Sequence, residues 1–420
     1  MAKINIDLSQ LKGLVKGLGS LRAFSTLVWP IVIVAAGVVI LATALLLGAG
    51  LTRKVNKQSM PMNSQISGLL ETAPAIKQAE EEKLYQDKYE NDANLITRLW
   101  IQTTQRELLD YDIFPQPRDT SAQLFNRFAS RFRQQIENLT TSVNGVKCPS
   151  EEELASSLQK ATTTAPGYRG GALTTAGTKE EKMVIEQICQ ARAKAGSVYA
   201  SPEDISGYSF WSDYQYSTLE DSVKDCWFWQ LGYWIIEDVF ATVEKMNSGS
   251  SSVEMSPVKR VMRIGFETPD KLLAAKEDAI SKQVPKYITK PEDQLTISLT
   301  GRTSNQSEDV VHFGVAAIVR TSAVLEFMKE LCSEKQHIWK GYSGTEAEQT
   351  YKHNQITILE SRVTSITPES PEHQRYRYGQ EPVAQVELVC EYIFNKQGYE
   401  PIYPEVMKEK KAETPVEGQL

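Results

Sequence analysis

Cysteine and histidine are scarce in this chain, with five and four copies among 420 residues. A disulfide framework is therefore excluded as the source of the fold, since small stapled domains carry cysteine far more densely. The histidines, His312, His337, His353 and His373, show no metal-ligand spacing and no HExxH pair, and no CxxC occurs. There is no GK[ST] after a glycine-rich turn, so Gly167-Tyr-Arg-Gly-Gly171 reads as a loop and not as a phosphate cradle. Basic charge is not concentrated either. With 46 Lys and Arg against 53 Asp and Glu, and no dense basic stripe, a nucleic-acid partner is not expected. No cofactor, metal or catalytic constellation is legible, and the reading is of a protein that is not an enzyme.

Long apolar runs are equally rare: there is one, and it dominates the chain. Ala23–Thr52 carries no charge and is rich in Leu, Ile, Val and Ala. About 20 residues of helix cross the roughly 30 Å of a bilayer core, so the run predicts a single transmembrane helix over 23–52. Trp29 is placed as an interfacial anchor and Pro30 in the first turn, with Arg22 and Arg53 bracketing the span. The run is too long for a cleaved signal peptide. Lys3, Lys12, Lys16 and Arg22 precede it against Arg53, Lys54 and Lys57 after it. That slight bias puts residues 1–22 in the cytoplasm as a short tail and the main domain in the periplasm, anchored once in the inner membrane.

After the span, residues 53–112 read as a helical stalk. The segment from Pro74 to Tyr111 lacks interior Gly and Pro and carries Leu84, Leu95 and Leu99 together with Tyr85, Tyr89, Ile96 and Trp100. A coiled coil through the faces of Leu95 and Leu99, giving a homo- or hetero-dimer, competes with packing on its own domain. Pro115 and Pro117 end the stalk.

Residues 113–267 form a first α+β module: a helix at 119–140, a short strand at 143–147, a helix from the Ser217…Glu220 capping box to Met246, and a strand at 257–267 with Met262, Ile264 and Phe266 on one face. Residues 149–216 read as a helical insertion, opened by the capping box Ser150…Glu153. A linker helix follows over 268–290. Residues 291–400 then read as strand, helix, strand, strand, with Ala384, Val386, Leu388, Cys390, Tyr392 and Phe394 on a core face and Gln385, Glu387 and Glu391 on a solvent face. Residues 401–420 read as a disordered tail.

Ten aromatic rings fall within 208–234: Tyr208, Phe210, Trp211, Tyr214, Tyr216, Trp227, Phe228, Trp229, Tyr233 and Trp234. Three consecutive rings point around a helix, so Trp227, Phe228 and Trp229 are the candidates for a partner interface. A stacking platform for carbohydrate or peptidoglycan is the alternative. Cys148 and Cys189 are the disulfide candidates, because a hairpin of their helices would bring both sulfurs to one end. In the chain-entropy picture, closing a loop of about 40 residues contributes roughly 4 kcal/mol. Cys332 and Cys390 lie on apolar faces and read as core thiols.

The order of tail, span, stalk and helix–strand modules resembles the PilO-like inner-membrane proteins of type IV pilus assembly and the GspM-like components of type II secretion. Most similar is a PilO-like branch found in Planctomycetes and Verrucomicrobia. The stretches that carry this are LEDSVKDCWFWQLGYWIIEDVFATVEKMN before PVKRVMRIGFE, then VHFGVAAIVRTSAVLEFMKELC, NQITILESRVTSIT and PVAQVELVCEYIFN. The resemblance rests on a pattern of elements without an invariant motif. It implies a ferredoxin-like module and a structural role with PilN-like and PilO-like partners, coupling an inner-membrane platform to periplasmic components.

Overall fold

In the computed structural model, which describes residues 25–71, 76–164, 179–274, 283–367 and 370–408, the charge-free run is helical from Ser25 onward. The chain divides into two units, Met1–Ala93 and Asn94–Leu420. In the first, helix α1 spans Ser25–Glu71. Its segment Val32–Lys57 is long and apolar enough to cross a membrane. Because α1 begins at Ser25, Pro30 stands beyond the first turn expected for it. The expected tail, 1–22, lies outside the described residues.

Helix α2 runs Ile76–Gln102 and so ends nine residues before the expected Tyr111. Tertiary contacts explain the early stop. Thr103 bonds back to the Trp100 carbonyl at 2.7 Å, and the Thr104 hydroxyl accepts the Asn395 N–H at 2.9 Å. Arg106, Leu108, Leu109 and Asp110 are then buried in an irregular strap, where a continuing helix would have left them as a solvated stalk.

The second unit is α+β. Its elements after α2 are α3 (Ala122–Ser142), β1 (Gly145–Val146), α4 (Glu151–Thr164), α5 (Lys179–Ala195), β2 (Val198–Tyr199), α6 (Tyr208–Ser212), α7 (Leu219–Met246), β3 (Val258–Gly265) and α8 (Pro269–Ala274). They continue with β4 (Glu308–Arg320), α9 (Val324–Leu331), β5 (Lys335–Trp339), β6 (Gln349–His353), β7 (Ile356–Ser365), β8 (Val383–Asn395) and α10 (Lys396–Tyr399). Six strands form one sheet in the order β1-β2-β3-β4-β8-β7, and β5-β6 form a separate hairpin. The first three strands are parallel and the remaining pairings antiparallel.

The two modules expected on either side of 268–290 thus share one sheet, because β3 pairs directly with β4. The expected insertion is equally integral: it contributes β2, which lies between β1 and β3. Within the linker only α8 and residues 283–290 are described. The strand–helix–strand–strand order of the last third is present, with the β5-β6 hairpin added between helix and strand.

One face of the sheet packs on α3, α7 and α9, and alternate residues of β8 from Ala384 to Phe394 join that core as the sequence pattern requires. The opposite face was expected in solvent, yet Glu387 and Glu391 are buried. The 295–304 segment covers Glu391, which accepts hydrogen bonds from Thr300 at 2.7 Å and Arg302 at 2.8 Å. Strand β3 departs from simple alternation through two register shifts, so Met262 faces a second, smaller core while Val261, Ile264 and Phe266 face the main one. On α9 the buried stripe is Val324, Phe327 and Leu331, and Leu325 points out. Of the expected tail, Ile402, Tyr403, Val406 and Met407 pack on the main core, and residues 409–420 lie outside the described residues.

Candidate functional site

The rings expected at a partner interface are interior. Trp227 and Trp229 are fully buried and Phe228 is half-buried. Trp227 donates its indole N–H to the Tyr287 hydroxyl at 2.7 Å and meets Phe114, Tyr399 and Tyr403 edge-on. Trp229 packs among Phe132, Phe210 and Phe266. Phe228 lies 5.2 Å from the Tyr287 ring. Three consecutive rings can all be satisfied within one chain because α7 is enclosed on several sides, by α3 and α6, by the strap and by residues 399–407. Gly207 marks how close the packing is: at φ +90° its missing Cβ would sit 2.5 Å from the Trp229 ring. A platform for sugar rings needs exposed indoles, and Trp211, Trp227, Trp229 and Trp234 are all buried.

Leu95 and Leu99 are half-exposed on α2, with Ile96 and Trp100 beside them. Leu84, Tyr85 and Tyr89, nearer its start, are also exposed.

All five cysteines are free thiols, so the expected Cys148–Cys189 bond is absent. The hairpin that motivated it exists, since α4 packs on α5, but non-covalent contacts hold it. Arg192 pairs with Glu153 at 3.0 Å, and Arg377 pairs with Glu186 at 2.6 Å. Cys189 is buried, and burial pushes its thiol above the usual range, with Arg377, Glu186 and Cys148 among the groups it senses. Cys226 and Cys390 are likewise buried, and burial raises both thiols well above the usual range.

Glu237-Asp238 lies in the middle of α7, at a buried polar network. Arg106 on the strap donates to both Asp238 oxygens at 3.1 Å, to Glu237 and to the Tyr392 hydroxyl at 2.9 Å. Tyr392 donates to Asp238 at 2.7 Å, and His353 Nε2 lies 3.3 Å from the same carboxylate. Burial alone would raise the Asp238 carboxyl, but Arg106 and His353 outweigh it and hold the group far below the usual range. His337 Nε2 lies 3.0 Å from the Gln105 carbonyl, and Glu107 N–H bonds to the Ile338 carbonyl at 3.1 Å. The network is a joint that locks the strap to α7, β6 and β8. Its only sequence signal is the Glu-Asp pair, which a solvated helix face explains equally well.

A second constellation is open. Beyond the carboxyl ends of β1 and β2 lies a cleft of about 440 Å³ whose charged lining is Lys147, Glu203, Asp204, Arg260, Arg263 and Arg375. Crevices at the carboxyl ends of parallel strands are where open sheets hold ligands. Lys147 pairs with Glu203 at 2.7 Å and Arg263 with Asp204. Arg260 lies over the Tyr376 ring, 3.9 Å from its centroid, and donates to the Glu372 carbonyl at 3.3 Å. Arg375 donates to the Pro149 carbonyl at 3.3 Å. None of these residues stands in a motif, and the sequence carried no signal for them.

No family model matches the chain, and no curated protein matches it. A crystal structure of a protein from Akkermansia muciniphila aligns over 69% of this chain and 83% of that one, at 7% identity and a TM-score of 0.27. Nothing about this chain follows from likeness at that level.

Proposed function

We propose that the chain is a membrane-anchored, non-catalytic scaffold subunit of a type IV pilus or type II secretion-like assembly, with its α+β unit in the periplasm and PilN-like or PilO-like proteins as partners. The observation that carries this is α2. Seven large apolar or aromatic residues, from Leu84 to Trp100, stand exposed along a helix that follows a segment long and apolar enough to span a membrane. Exposed rows of this kind are how helices pair. The buried charges support the same reading, since the ion pairs around Asp238 join elements of the unit to one another.

The test is crosslinking of full-length chains in membranes. Replacing Leu95 and Leu99 together by Asp should abolish crosslinks to a second copy or to a PilO-like partner, while the α+β unit melts as before. Undiminished crosslinks would remove α2 from the assembly. The anchor is checked by extracting the membranes at alkaline pH: a chain released to the supernatant, or one whose N-terminus lies beyond the Val32–Lys57 segment, would make that helix a leader and not an anchor.

A further inference from the structure

The cleft beyond β1 and β2 has a feature that the scaffold reading does not use. Among the described residues, its two carboxylates are each matched by one of its cations, Glu203 by Lys147 and Asp204 by Arg263. Arg260 and Arg375 have no carboxylate within ion-pair distance, and each donates to a main-chain carbonyl. In a chain of net charge −7, two guanidiniums without a directly paired carboxylate therefore face one concavity. The nearby acidic turn of α4 forms no ion pair with either. Glu153 caps the helix and pairs with Arg192, while Glu152 is held below the usual range first by its own backbone N–H, then by Ser150, with Arg375 the smallest contributor.

We propose that this cleft binds a small phosphomonoester. A phosphate monoester carries close to two negative charges at neutral pH, which matches the two surplus guanidiniums, whereas a simple carboxylate would neutralise only one. Guanidinium forks bind phosphate oxygens in pairs, and the Tyr376 ring under Arg260 fixes the plane of one fork. The volume of about 440 Å³ far exceeds a bare phosphate and lies within the range of small-molecule sites. An organic remainder would rest on the half-buried Val146 and the Tyr376 ring.

The experiment is calorimetric titration of the full-length chain in detergent micelles at constant ionic strength, with inorganic phosphate, glycerol 3-phosphate, succinate and glycerol as probes. Saturable binding of glycerol 3-phosphate, tighter than inorganic phosphate and tighter than succinate, is expected. Arg375→Gln and Arg260→Gln should each weaken it by about tenfold or more, as loss of a charge-assisted hydrogen bond implies. Arg375→Gln is expected to leave the melting temperature unchanged, and Arg260→Lys to restore part of the affinity. Arg118→Gln, on the exposed surface away from the cleft, should change nothing. Absence of saturable phosphate binding, binding undiminished in both arginine variants, or succinate bound as tightly as glycerol 3-phosphate would each overturn the proposal.

Discussion

A carboxylate in the middle of a buried helix is tolerated only when its charge is matched, and Asp238 is matched by Arg106, Tyr392 and His353 together. The same region contributes to the acid response. His337 is pushed down from 6.5 to about 3, first by burial and then by Arg106 and His353. A group whose folded pKa lies below its unfolded value stays neutral in the fold while the unfolded chain takes up the proton. Stability therefore falls as pH drops from about 6.5 toward 3, by at most about 1.4 kcal/mol per pH unit for this group. The depressed Asp238 carboxyl adds a further loss at still lower pH, below the ordinary carboxylate range. Denaturant melts of wild type and His337→Gln across this window should show a shallower slope for the variant; parallel slopes would place the sensitivity elsewhere. For the aromatic rings the sequence revealed density but not direction, because whether a ring on α7 meets core or solvent depends on elements more than a hundred residues away. Trp227→Ala and Trp229→Ala should each cost roughly 3–5 kcal/mol and lower the melting temperature sharply. Melting unchanged at both positions would return these rings to a surface.

Local chemistry was legible for whole elements wherever it acts alone. The Ser150…Glu153 capping box is present in both directions, with Glu153 N–H to Ser150 Oγ at 3.1 Å and Ser150 N–H to the Glu153 carboxylate at 3.2 Å. One residue decides the cap of α7: the sequence offers Ser217, but the N-cap is Thr218, whose hydroxyl accepts the Asp221 N–H at 3.1 Å. Both hydroxyls precede an acidic residue by three, so spacing alone does not choose between them. Thr218→Ala should cost about 1 kcal/mol and Ser217→Ala only a few tenths, measured by denaturant unfolding. Equal losses would mean that both hydroxyls cap the helix. Strand β8 holds every residue expected on its core face, from Ala384 to Phe394, because its alternation is uninterrupted. In β3 two register shifts break the period, and side chains read as sharing a face were divided between two cores. Helix α2 was read too long for a related reason: nothing in the run from Thr103 to Tyr111 forbids a helix, and contacts made far along the chain overrule its propensity.

At the scale of the whole α+β unit, the boundary at residue 112 fails because it follows the helical pattern and not the burial. The strap before it supplies Arg106 to Asp238, donates the Leu109 N–H to Gln230 at 2.8 Å, and accepts the Trp234 indole N–H at the Glu107 carbonyl at 2.9 Å. A fragment of residues 113–408 keeps Asp238 in place without its guanidinium, and breaking such a buried pair costs roughly 3–5 kcal/mol. Loss of buried Leu108 and Leu109 adds about 1.5–3 kcal/mol apiece. Against a total stability of about 5–15 kcal/mol these losses are decisive. A fragment of residues 94–408 should therefore unfold in one cooperative transition, and 113–408 should lack one or melt far lower. Asp238→Leu placed in the shorter fragment should recover part of the difference, since it removes the stranded charge without restoring the strap. Equal melting of the two unmodified fragments would show that residues 94–112 contribute nothing to the fold, and would return the strap to the stalk.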